Sequence, residues 1–574
     1  MSSEFMKFPS RRSTVYSTKG MVALLQPLAN AAGLEILDLG GNCVDAAIAA
    51  LAALCVTEPS STGIGGDCFA IFYKDGEIMG LNGTGRAAKD IDIDYVKSKL
   101  GADAKRIPYE SVFAVTVPGA IAGWYDAYEL WGSGKVTFEQ ILAPAIRLAR
   151  DGFVVHEIAA NLWQREVGKL QRQNDPNAPN PFLFDGKAPQ EGDLVYNEEV
   201  AVTLEKIAKH GKLAFYTGEI AEAIVNTVQA KGHKLTLEDL ANHKSTFVDP
   251  VGLDFKGKKV WEIPPNGHGL VAQLALGVIQ ELQRQGKINM HNMEHNSAEY
   301  LHVLIEACKL AFHDSEEYVC DMEFHKIPVT ALLSPEYLGR RAEMLSASQP
   351  GSDYTFGVPD PKYKSDTVYL SVADKDGNAC SFINSVFEGF GTGIVVGDKG
   401  FCLHNRGAGF NLTKGAPNHM EGLKRPYHTI IPGLITNDDG SLYALFGNMG
   451  GFAQPVCHVQ HVMNMLVFGM TPQQLIDLPR FVLESDYDAK TDRGRGSHGP
   501  IHTTGTVVAL EEGISEETIK QLQEMGHKTI NPQGYNRSLF GRAQIITKTK
   551  TKDGRFVYAG GLDLRADGAV VAQV

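Results

Sequence analysis

The sequence predicts an α+β protein in which helices cover paired antiparallel sheets. Helical periodicity dominates from about residue 119 to 245, whereas hairpins of alternating apolar and polar residues dominate after residue 366. The chain also has the material for a large core, because its 574 residues are 43% hydrophobic and only 21% charged. Its length allows roughly two to four folding units or one large unit.

The helices are expected in the first two thirds of the chain. Residues 40–58 are rich in alanine and apolar nearly all round, which is typical of a central buried helix. Residues 60–87 then predict a glycine turn followed by a strand, an Asp-Gly hairpin and a second strand. Asn296 and Glu299 resemble a capping box that starts a further long helix.

Three hairpins are expected in the last third. They are predicted within residues 367–386, 428–447 and 543–564, each with a polar turn between two alternating runs. The preceding residues 345–366 lack periodicity and contain Pro, Gly, Ser and Asp, the composition of an exposed, flexible connection.

Composition and charge exclude several classes of function. The net charge is -13 and Lys and Arg do not cluster, which argues against a nucleic-acid partner. No run of about 18 apolar residues predicts a membrane span. The N-terminus lacks an apolar signal region, so a cytoplasmic location is expected. The eight scattered cysteines predict buried reduced thiols, and the sequence predicts neither a metal site nor a cofactor.

Thr367, at the start of the first hairpin, is a candidate nucleophile. If the chain is cut between Asp366 and Thr367, the new α-amine has a pKa of about 7.7 to 8.0 and lies on the same residue as the hydroxyl. The amine can then take the hydroxyl proton. The hydroxyl could also make the cut itself by attacking the Asp366 carbonyl, giving an ester that water hydrolyses. The alternative is an ordinary strand threonine.

Two further features could support such a nucleophile. The turn after residue 373 places Thr367 opposite Ser385, although a register shifted by one would place Val386 there instead. Gly450 and Gly451 lie at a predicted strand-to-helix turn and could offer backbone N–H groups to an oxyanion. The alternatives are a simple cross-strand neighbour and a turn that needs glycine.

A series of motifs extends over nearly the whole chain. In order, it comprises GGNCVDAAIAALAALCVTEPSSTGIGGDCFAIFY, VTVPGAIAGW, GEIAEAIVNTVQAKGHKLTLEDL, IPPNGHGLVAQLAL, LHVLIEACKLAFHDSEEYVCD, DKDGNACSFINSVFEGFGTGIVVGDKGFCLHN, KRPYHTIIPG and DLRADGAVVA. With this series the chain resembles the γ-glutamyltranspeptidase family of N-terminal nucleophile hydrolases.

The resemblance implies a fold and a set of roles. It implies a four-layer αββα sandwich, cut into a large subunit of residues 1–366 and a small catalytic subunit of residues 367–574. Thr367 would be the nucleophile, Ser385 the hydroxyl that hydrogen-bonds to it, and Gly450 with Gly451 the oxyanion site.

The sequence departs from the family pattern where the γ-glutamyl group binds. In place of N-N-Q-x-x-D-F it has HNRGAGF, so that Arg406 replaces the glutamine and Gly409 the acid that binds the α-amine. His428 and Thr429 replace paired serines, and Arg86 lies several residues later than the family's substrate arginine. These departures resemble the branch of oxamate amidohydrolases and cephalosporin-acylase-like proteins.

Four residues are therefore candidates for substrate binding. Arg406, and with it Arg86, could grip a carboxylate, while His428 and Thr429 would contact the acyl group. The alternatives are a structural ion pair for Arg406, a satisfied core histidine at position 428 and a surface salt bridge for Arg86.

The predicted function is an autoprocessed N-terminal-threonine amidohydrolase or acyltransferase. Its expected substrate is a small acyl amide with a carboxylate, oxamate-like or glutaryl-like, and its acyl acceptor is water or an amine. One alternative is a γ-glutamyl hydrolase or transpeptidase that acts on glutathione and γ-glutamyl amides. Another is an unprocessed, non-catalytic binding or scaffold protein. The sequence leaves open whether the protein forms a homodimer.

Overall fold

The computed structural model describes residues 12–176, 178–346, 367–484 and 506–574. Its strands are β1 (Val15–Ser17), β2 (Met21–Leu24), β3 (Asp67–Lys74), β4 (Glu77–Gly83), β5 (Phe153–Val154), β6 (Leu194–Val195), β7 (Thr246–Val248), β8 (Val251–Phe255), β9 (Lys258–Glu262), β10 (Val368–Ala373), β11 (Ala379–Ser385), β12 (Gly433–Asn437), β13 (Leu442–Met449), β14 (Phe481–Glu484), β15 (Val507–Leu510), β16 (Lys528–Ile530), β17 (Arg542–Lys550), β18 (Phe556–Leu562) and β19 (Ala569–Ala572).

The helices fall mostly before the first predicted hairpin. They are α1 (Pro27–Asp38), α2 (Cys43–Thr57), α3 (Ile93–Leu100), α4 (Ala120–Trp131), α5 (Phe138–Asp151), α6 (Glu157–Gln173), α7 (Glu198–His210), α8 (Leu213–Tyr216), α9 (Gly218–Gln229), α10 (Leu237–Ala241), α11 (Gly269–Arg284), α12 (Ala298–Tyr318), α13 (Val329–Leu332), α14 (Pro335–Glu343), α15 (Ala453–Leu466), α16 (Pro472–Asp477) and α17 (Glu516–Glu524).

Two seven-stranded sheets form the centre of the described structure. Sheet I has the strand order β19-β2-β10-β11-β3-β4-β7, and sheet II has the order β1-β18-β17-β13-β12-β9-β8. Neighbouring strands within both sheets are antiparallel. A buried apolar layer that includes Phe69 and Tyr369 of sheet I and Leu434 and Leu445 of sheet II joins the two inner faces.

Helices cover both outer faces. Helix α2 packs against β10 and β11 of sheet I, and all of its residues are buried. It begins at Asn42, whose side chain accepts the N–H groups of Val44 and Asp45 in a capping box. Helices α11 and α15 pack on sheet II, and α12 packs on α11. The layer order is therefore αββα, which confirms the predicted fold class.

The predicted hairpins are confirmed as β10–β11, β12–β13 and β17–β18. In each hairpin a polar turn joins two strands whose buried residues face a neighbouring layer of the fold. The residues of the turn and the alternation of apolar and polar residues along the strands together define the strand pairing. The predicted central helix is confirmed as α2, and the hairpin that follows it as β3–β4.

The predicted capping box at Asn296 is wrong by one residue. Ser297 is the N-cap of α12, and its hydroxyl accepts the N–H of Tyr300. Asn296 instead has a φ of 58° and donates its side-chain amide to the carbonyl of Pro479. An N-cap residue needs an extended backbone so that its side chain can accept an N–H of the first helical turn. Ser297 has this conformation, whereas Asn296 lies in the left-handed region and cannot act as the N-cap.

Two other sequence predictions concern the cysteines and the connection before Thr367. All eight cysteines are free, buried thiols, as expected. The predicted flexible connection falls outside the described residues from position 347 onward, and so does Asp366. Among the helices of the described ranges, none combines the length and the apolar content needed to cross a bilayer.

Candidate active site

Thr367 and Ser385 are brought together by the register of the β10–β11 hairpin. Val368 pairs with Asn384, and continuing that register places Thr367 opposite Ser385. The two hydroxyl oxygens are 3.0 Å apart, and both residues are fully buried. The register predicted from the turn is confirmed, and the alternative with Val386 opposite Thr367 is excluded.

Ser385 is held by two other donors. Its hydroxyl oxygen accepts the Phe387 N–H at 2.8 Å and an N–H from Arg406 Nη2 at 3.3 Å. The contact between the Ser385 and Thr367 hydroxyls is a hydrogen bond in which either oxygen can be the donor. A hydrogen bond donated by Ser385 would stabilise negative charge that develops on the Thr367 oxygen.

The backbone at Phe387 is strained in order to make this contact. Its φ of 81° lies in the left-handed region, which is rare for a bulky residue. Its ring lies 4.0 Å from the guanidinium carbon of Arg406, in a cation–π contact. Such strain clusters at functional sites, because the surrounding structure must hold it in place.

Arg406 extends the site from Ser385 to Thr429. It lies in a short turn after β11, is fully buried, and donates from Nη1 to the Thr429 hydroxyl at 2.7 Å. Burial lowers the pKa of Arg406 to about 10, a value at which the side chain still carries its charge at neutral pH. A buried cation thus lies one side chain away from the candidate nucleophile.

Asp67 balances the charge of Arg406. Its Oδ2 lies 2.7 Å from His428 Nε2, 3.7 Å from Arg406 Nε and 3.7 Å from His404 Nδ1. Burial alone would raise the pKa of Asp67, but His428 and Arg406 outweigh it and bring the pKa to about 2. The carboxylate is therefore ionised at neutral pH.

The two imidazoles of this group are neutral at the same pH. Burial, followed by the charge of Arg406, lowers the pKa of His428 to about 4. Burial likewise lowers the pKa of His404. The cluster of Asp67, Arg406, His404 and His428 therefore carries no net charge.

Glycine allows Asp67 to come this close to the hairpin. A Cβ at Gly66 would lie 2.3 Å from the carbonyl oxygen of Ser385, so no other residue fits there. Asp67 itself pairs with Ser385 in the β3–β11 register. Sequence reasoning missed Asp67, His404 and the role of Phe387. The available signal for Asp67 was an acid at the start of an otherwise apolar strand.

Gly450 and Gly451 lie between β13 and α15, as predicted. Their φ angles of 136° and 55° are both in the range that favours glycine. The adjoining first turn of α15 contacts the site through Gln454, whose side chain accepts the N–H of Ile431 at 3.0 Å. Ile431 is two residues after Thr429, the partner of Arg406, so the glycine turn lies at the same end of the sandwich.

Arg86 lies apart from these contacts. It pairs with Glu323 at 2.9 Å and lines a cavity of about 510 Å³ together with His243, Lys244 and Phe324. The structure brings together Thr367, Ser385, Arg406 and Thr429, and reaches His428 through Asp67. It does not place Arg86 within hydrogen-bonding distance of this group.

Among the described residues, one buried cluster has the composition of a metal site. It consists of His302, Glu306 and His527. The two imidazoles hydrogen-bond to each other at 2.8 Å, and the ammonium of Lys309 lies 2.8 Å from Glu306 and 3.4 Å from His527. Because Lys309 already supplies the cation, this cluster is a hydrogen-bond network linking α12 to the loop before β16.

Comparisons with known proteins agree on one family. A family model described as γ-glutamyltranspeptidase matches residues 29–573. The chain is 34% identical to the glutathione hydrolase-like YwrD proenzyme of Bacillus subtilis strain 168, over 97% of this chain and 99% of the relative. It is 30% identical to the oxamate amidohydrolase proenzyme of Klebsiella pneumoniae subsp. pneumoniae, over 97% and 99%.

A solved structure gives the same result. The crystal structure of cephalosporin acylase from Bacillus halodurans superposes with a TM-score of 0.85 at 37% identity, covering 99% of this chain and 98% of the other. The similarity therefore extends over both sheets and both helical layers.

Proposed function

The chain belongs to the γ-glutamyltranspeptidase family and is an amide hydrolase or acyltransferase of it, and from this premise we propose an autoprocessed N-terminal-threonine enzyme. Cleavage between Asp366 and Thr367 would give a large subunit of residues 1–366 and a small subunit of residues 367–574. That several relatives are named proenzymes supports the cut. The proposed substrate is a small acyl amide that carries a carboxylate.

The proposed reaction begins on the Thr367 hydroxyl. The free α-amine takes the hydroxyl proton as the oxygen bonds to the amide carbon, and the N–H groups of Gly450 and Gly451 hold the resulting oxyanion. Transfer of that proton to the leaving nitrogen breaks the C–N bond and leaves an acyl ester on Thr367. Water or an amine then attacks the ester and frees the hydroxyl. A hydrogen bond donated by Ser385 would stabilise the negative charge left on the Thr367 oxygen as this proton leaves.

The environment of Arg406 is the observation that supports the proposed substrate class. It is a fully buried guanidinium two contacts from the nucleophile, and Nη1 and Nη2 each make one hydrogen bond among the described residues. Each of these nitrogens bears two hydrogens, so one N–H of each remains for a planar, bidentate acceptor such as a carboxylate. The names of the oxamate amidohydrolase and cephalosporin acylase relatives agree with such an acyl group.

Asp67 favours a second candidate, a γ-glutamyl hydrolase or transferase. Its Oδ1 is buried and accepts no hydrogen bond among the described residues. A buried acid beside Arg406 offers an ammonium-binding group next to a carboxylate-binding group, which suits an α-amino acid. A glutathione hydrolase-like relative is consistent with this alternative. Asp67 would then replace the acid that is Gly409 in this chain.

A pair of substrates separates the two candidates. Glutaryl and γ-glutamyl anilides differ only in the α-amine, and oxamate tests a shorter acyl group. We expect faster hydrolysis of glutaryl anilide or oxamate than of γ-glutamyl anilide. Arg406→Lys should raise KM for the carboxylate-bearing amides far more than for acetyl anilide, the matched neutral substrate. Preference for γ-glutamyl anilide that is lost in Asp67→Asn would support the second candidate.

A denaturing gel tests the third possibility, a non-catalytic scaffold. Two bands of about 366 and 208 residues, with the smaller beginning at Thr367, support the enzyme. A persistent single chain without amide turnover would support the scaffold instead. Intact mass and N-terminal sequencing of the purified protein should therefore precede any activity assay, because they show directly whether the chain is cut before Thr367.

A further inference from the structure

A buried ionic network lies behind the Gly450–Gly451 turn. Asn448 connects the network to the turn, since it lies two residues before Gly450 and is fully buried. Its side-chain nitrogen donates to the Met449 carbonyl at 2.6 Å, and its side-chain oxygen accepts from Arg480 Nη1 at 2.9 Å. One amide side chain therefore links an arginine to the backbone of the turn.

The Met449 carbonyl determines where the Gly450 N–H points. Both groups belong to one planar trans peptide unit, in which they point in opposite directions. Holding the carbonyl with Asn448 therefore directs the N–H of Gly450 to the other side. Gly541 packs on the same carbonyl, and a Cβ there would lie 1.9 Å from the Met449 oxygen.

Arg480 determines which way the Asn448 amide faces. Arginine has only donors, so the atom of Asn448 that contacts it must be the oxygen. The nitrogen is then left to face the Met449 carbonyl. Arg480 Nη1 also donates to the Phe540 carbonyl at 3.1 Å, which secures the loop next to Gly541.

Arg480 is itself held by a chain of buried ion pairs. Its Nη2 lies 2.5 Å from Asp563, which in turn binds Arg565 at 2.8 Å. Arg565 makes two contacts with Glu511, at 2.6 and 2.5 Å, and Glu511 also accepts from Arg537 at 2.9 Å. Asp563, Arg565 and Glu511 are at most 1% exposed.

Such a network is a poor means of gaining stability. Taking several charges out of water costs nearly as much as their attraction returns, and apolar residues of similar volume often do as well. The network instead fixes the orientation of each of its hydrogen-bond donors and acceptors, up to the Asn448 side chain that contacts the Gly450–Gly451 turn.

We propose that Arg480 is a positioning residue of the oxyanion site, acting through Asn448 on the Met449–Gly450 peptide. This inference rests on the proposed function, in which the N–H of Gly450 contacts the oxyanion. In this proposal, Asn448 and Arg480 touch no substrate but set the orientation of a backbone group that does.

Asn448→Asp is the sharpest test. It keeps the shape and the contact with Arg480 but replaces the donor to Met449 with an acceptor that repels the carbonyl. We expect kcat to fall by roughly 10- to 100-fold, somewhat less than for loss of an oxyanion donor, with KM changed less than threefold. Inhibition by a boronic acid that forms a tetrahedral adduct on Thr367 should weaken by the same factor, whereas inhibition by the product carboxylate should not.

Arg480→Lys is the second variant and Arg537→Lys its matched control. Both change an arginine of the same network, but Arg537 does not contact Asn448. We expect Arg480→Lys to reproduce the kcat and boronate losses and Arg537→Lys to leave both within threefold. All rates refer to the cleaved fraction, measured by intact mass, with thermal unfolding recorded for each variant.

The proposal is overturned if Asn448→Asp and Arg480→Lys lose no more kcat than Arg537→Lys, or if every loss follows the thermal stability. Failure of the proposed function has a different signature. In that case the wild-type chain would lack an N-terminal Thr367, or boronate would not inhibit it.

Discussion

The Ser385 hydroxyl lies 3.0 Å from the Thr367 hydroxyl, with both of its acceptor positions approached by other donors. A proton donated by Ser385 along this contact would stabilise negative charge on the oxygen that would become the nucleophile. After a cut before Thr367, the α-amine of the same residue would offer an acceptor for the Thr367 hydroxyl proton. The hairpin thus brings together the two hydroxyls that, with this amine, would take part in the proposed proton transfer.

Removal of the Ser385 hydroxyl should slow catalysis. Ser385→Ala loses a hydrogen bond to developing charge, worth about 2 kcal/mol, so kcat should fall roughly 30-fold. Ser381→Ala is the matched control, because Ser381 lies on the same strand, is equally buried and hydrogen-bonds to Tyr369 at 2.8 Å. Steady-state kinetics should show the loss only at position 385, and equal losses at both would contradict the role given to Ser385.

Substitution of Thr367 should abolish both maturation and turnover. Thr367→Ala has no hydroxyl to attack the preceding carbonyl, so it should remain one chain of 574 residues on a denaturing gel. Thr367→Ser keeps the hydroxyl and should still yield two bands. Full amide turnover by an uncut wild-type chain would refute the mechanism.

The pH dependence of kcat/KM should follow the titration of the α-amine and not that of His428. The general base works unprotonated, so kcat/KM should rise as pH increases through about 7.7 to 8.0, the range of a free α-amine. Burial and the charge of Arg406 lower the pKa of His428 to about 4, outside the range from pH 5 to 9.

His428→Gln provides the control for this profile. Glutamine keeps a donor for Asp67 but cannot titrate, so the rise with pH should be unchanged. Its disappearance in His428→Gln would identify the imidazole as the base.

Asp67 should stabilise the fold in a defined pH range. Its folded-state pKa of about 2 lies below an unfolded value of about 3.9, so the carboxylate stabilises the protein above pH 3.9. This stability, about 2 to 3 kcal/mol, is lost as pH falls through 2. Asp67→Asn should lower the free energy of unfolding by about 3 kcal/mol at pH 7, since Arg406 is left buried without its counter-charge.

Urea unfolding at pH 7 and at successively lower pH measures this effect. The difference between wild type and Asp67→Asn should shrink as Asp67 takes up its proton. Asp254→Asn, at a largely exposed acid, should cost less than 1 kcal/mol at every pH. A gap for Asp67→Asn that stays constant down to pH 2 would show that charge is not its cause.

Local patterns in the sequence predict much of this site. The Asp-Lys-Asp-Gly-Asn turn fixes the hairpin register and so the pairing of Thr367 with Ser385. The position of Gly450 follows from a glycine pair between an apolar strand and a helix. In each case the interacting residues are close in sequence or separated by a single turn.

The charge cluster could not be predicted in the same way. Asp67, His404 and His428 come from three separate segments that meet only because β3 pairs with β11 and the loop after β11 folds back over it. No local periodicity encodes that meeting. The same holds for Arg480, which reaches Asn448 from beyond the end of α16.

The strand order has a consequence for the matured protein. Strands from before and after residue 366 pair with each other in both sheets, with β10 beside β2, β11 beside β3 and β12 beside β9. After cleavage, strand pairs would still join the large and small subunits by backbone hydrogen bonds. Once the subunits are unfolded and separated, however, refolding would require two molecules to associate, whereas the uncut chain refolds within one molecule. Recovery from denaturant should therefore depend on protein concentration for the mature enzyme and be independent of it for Thr367→Ala.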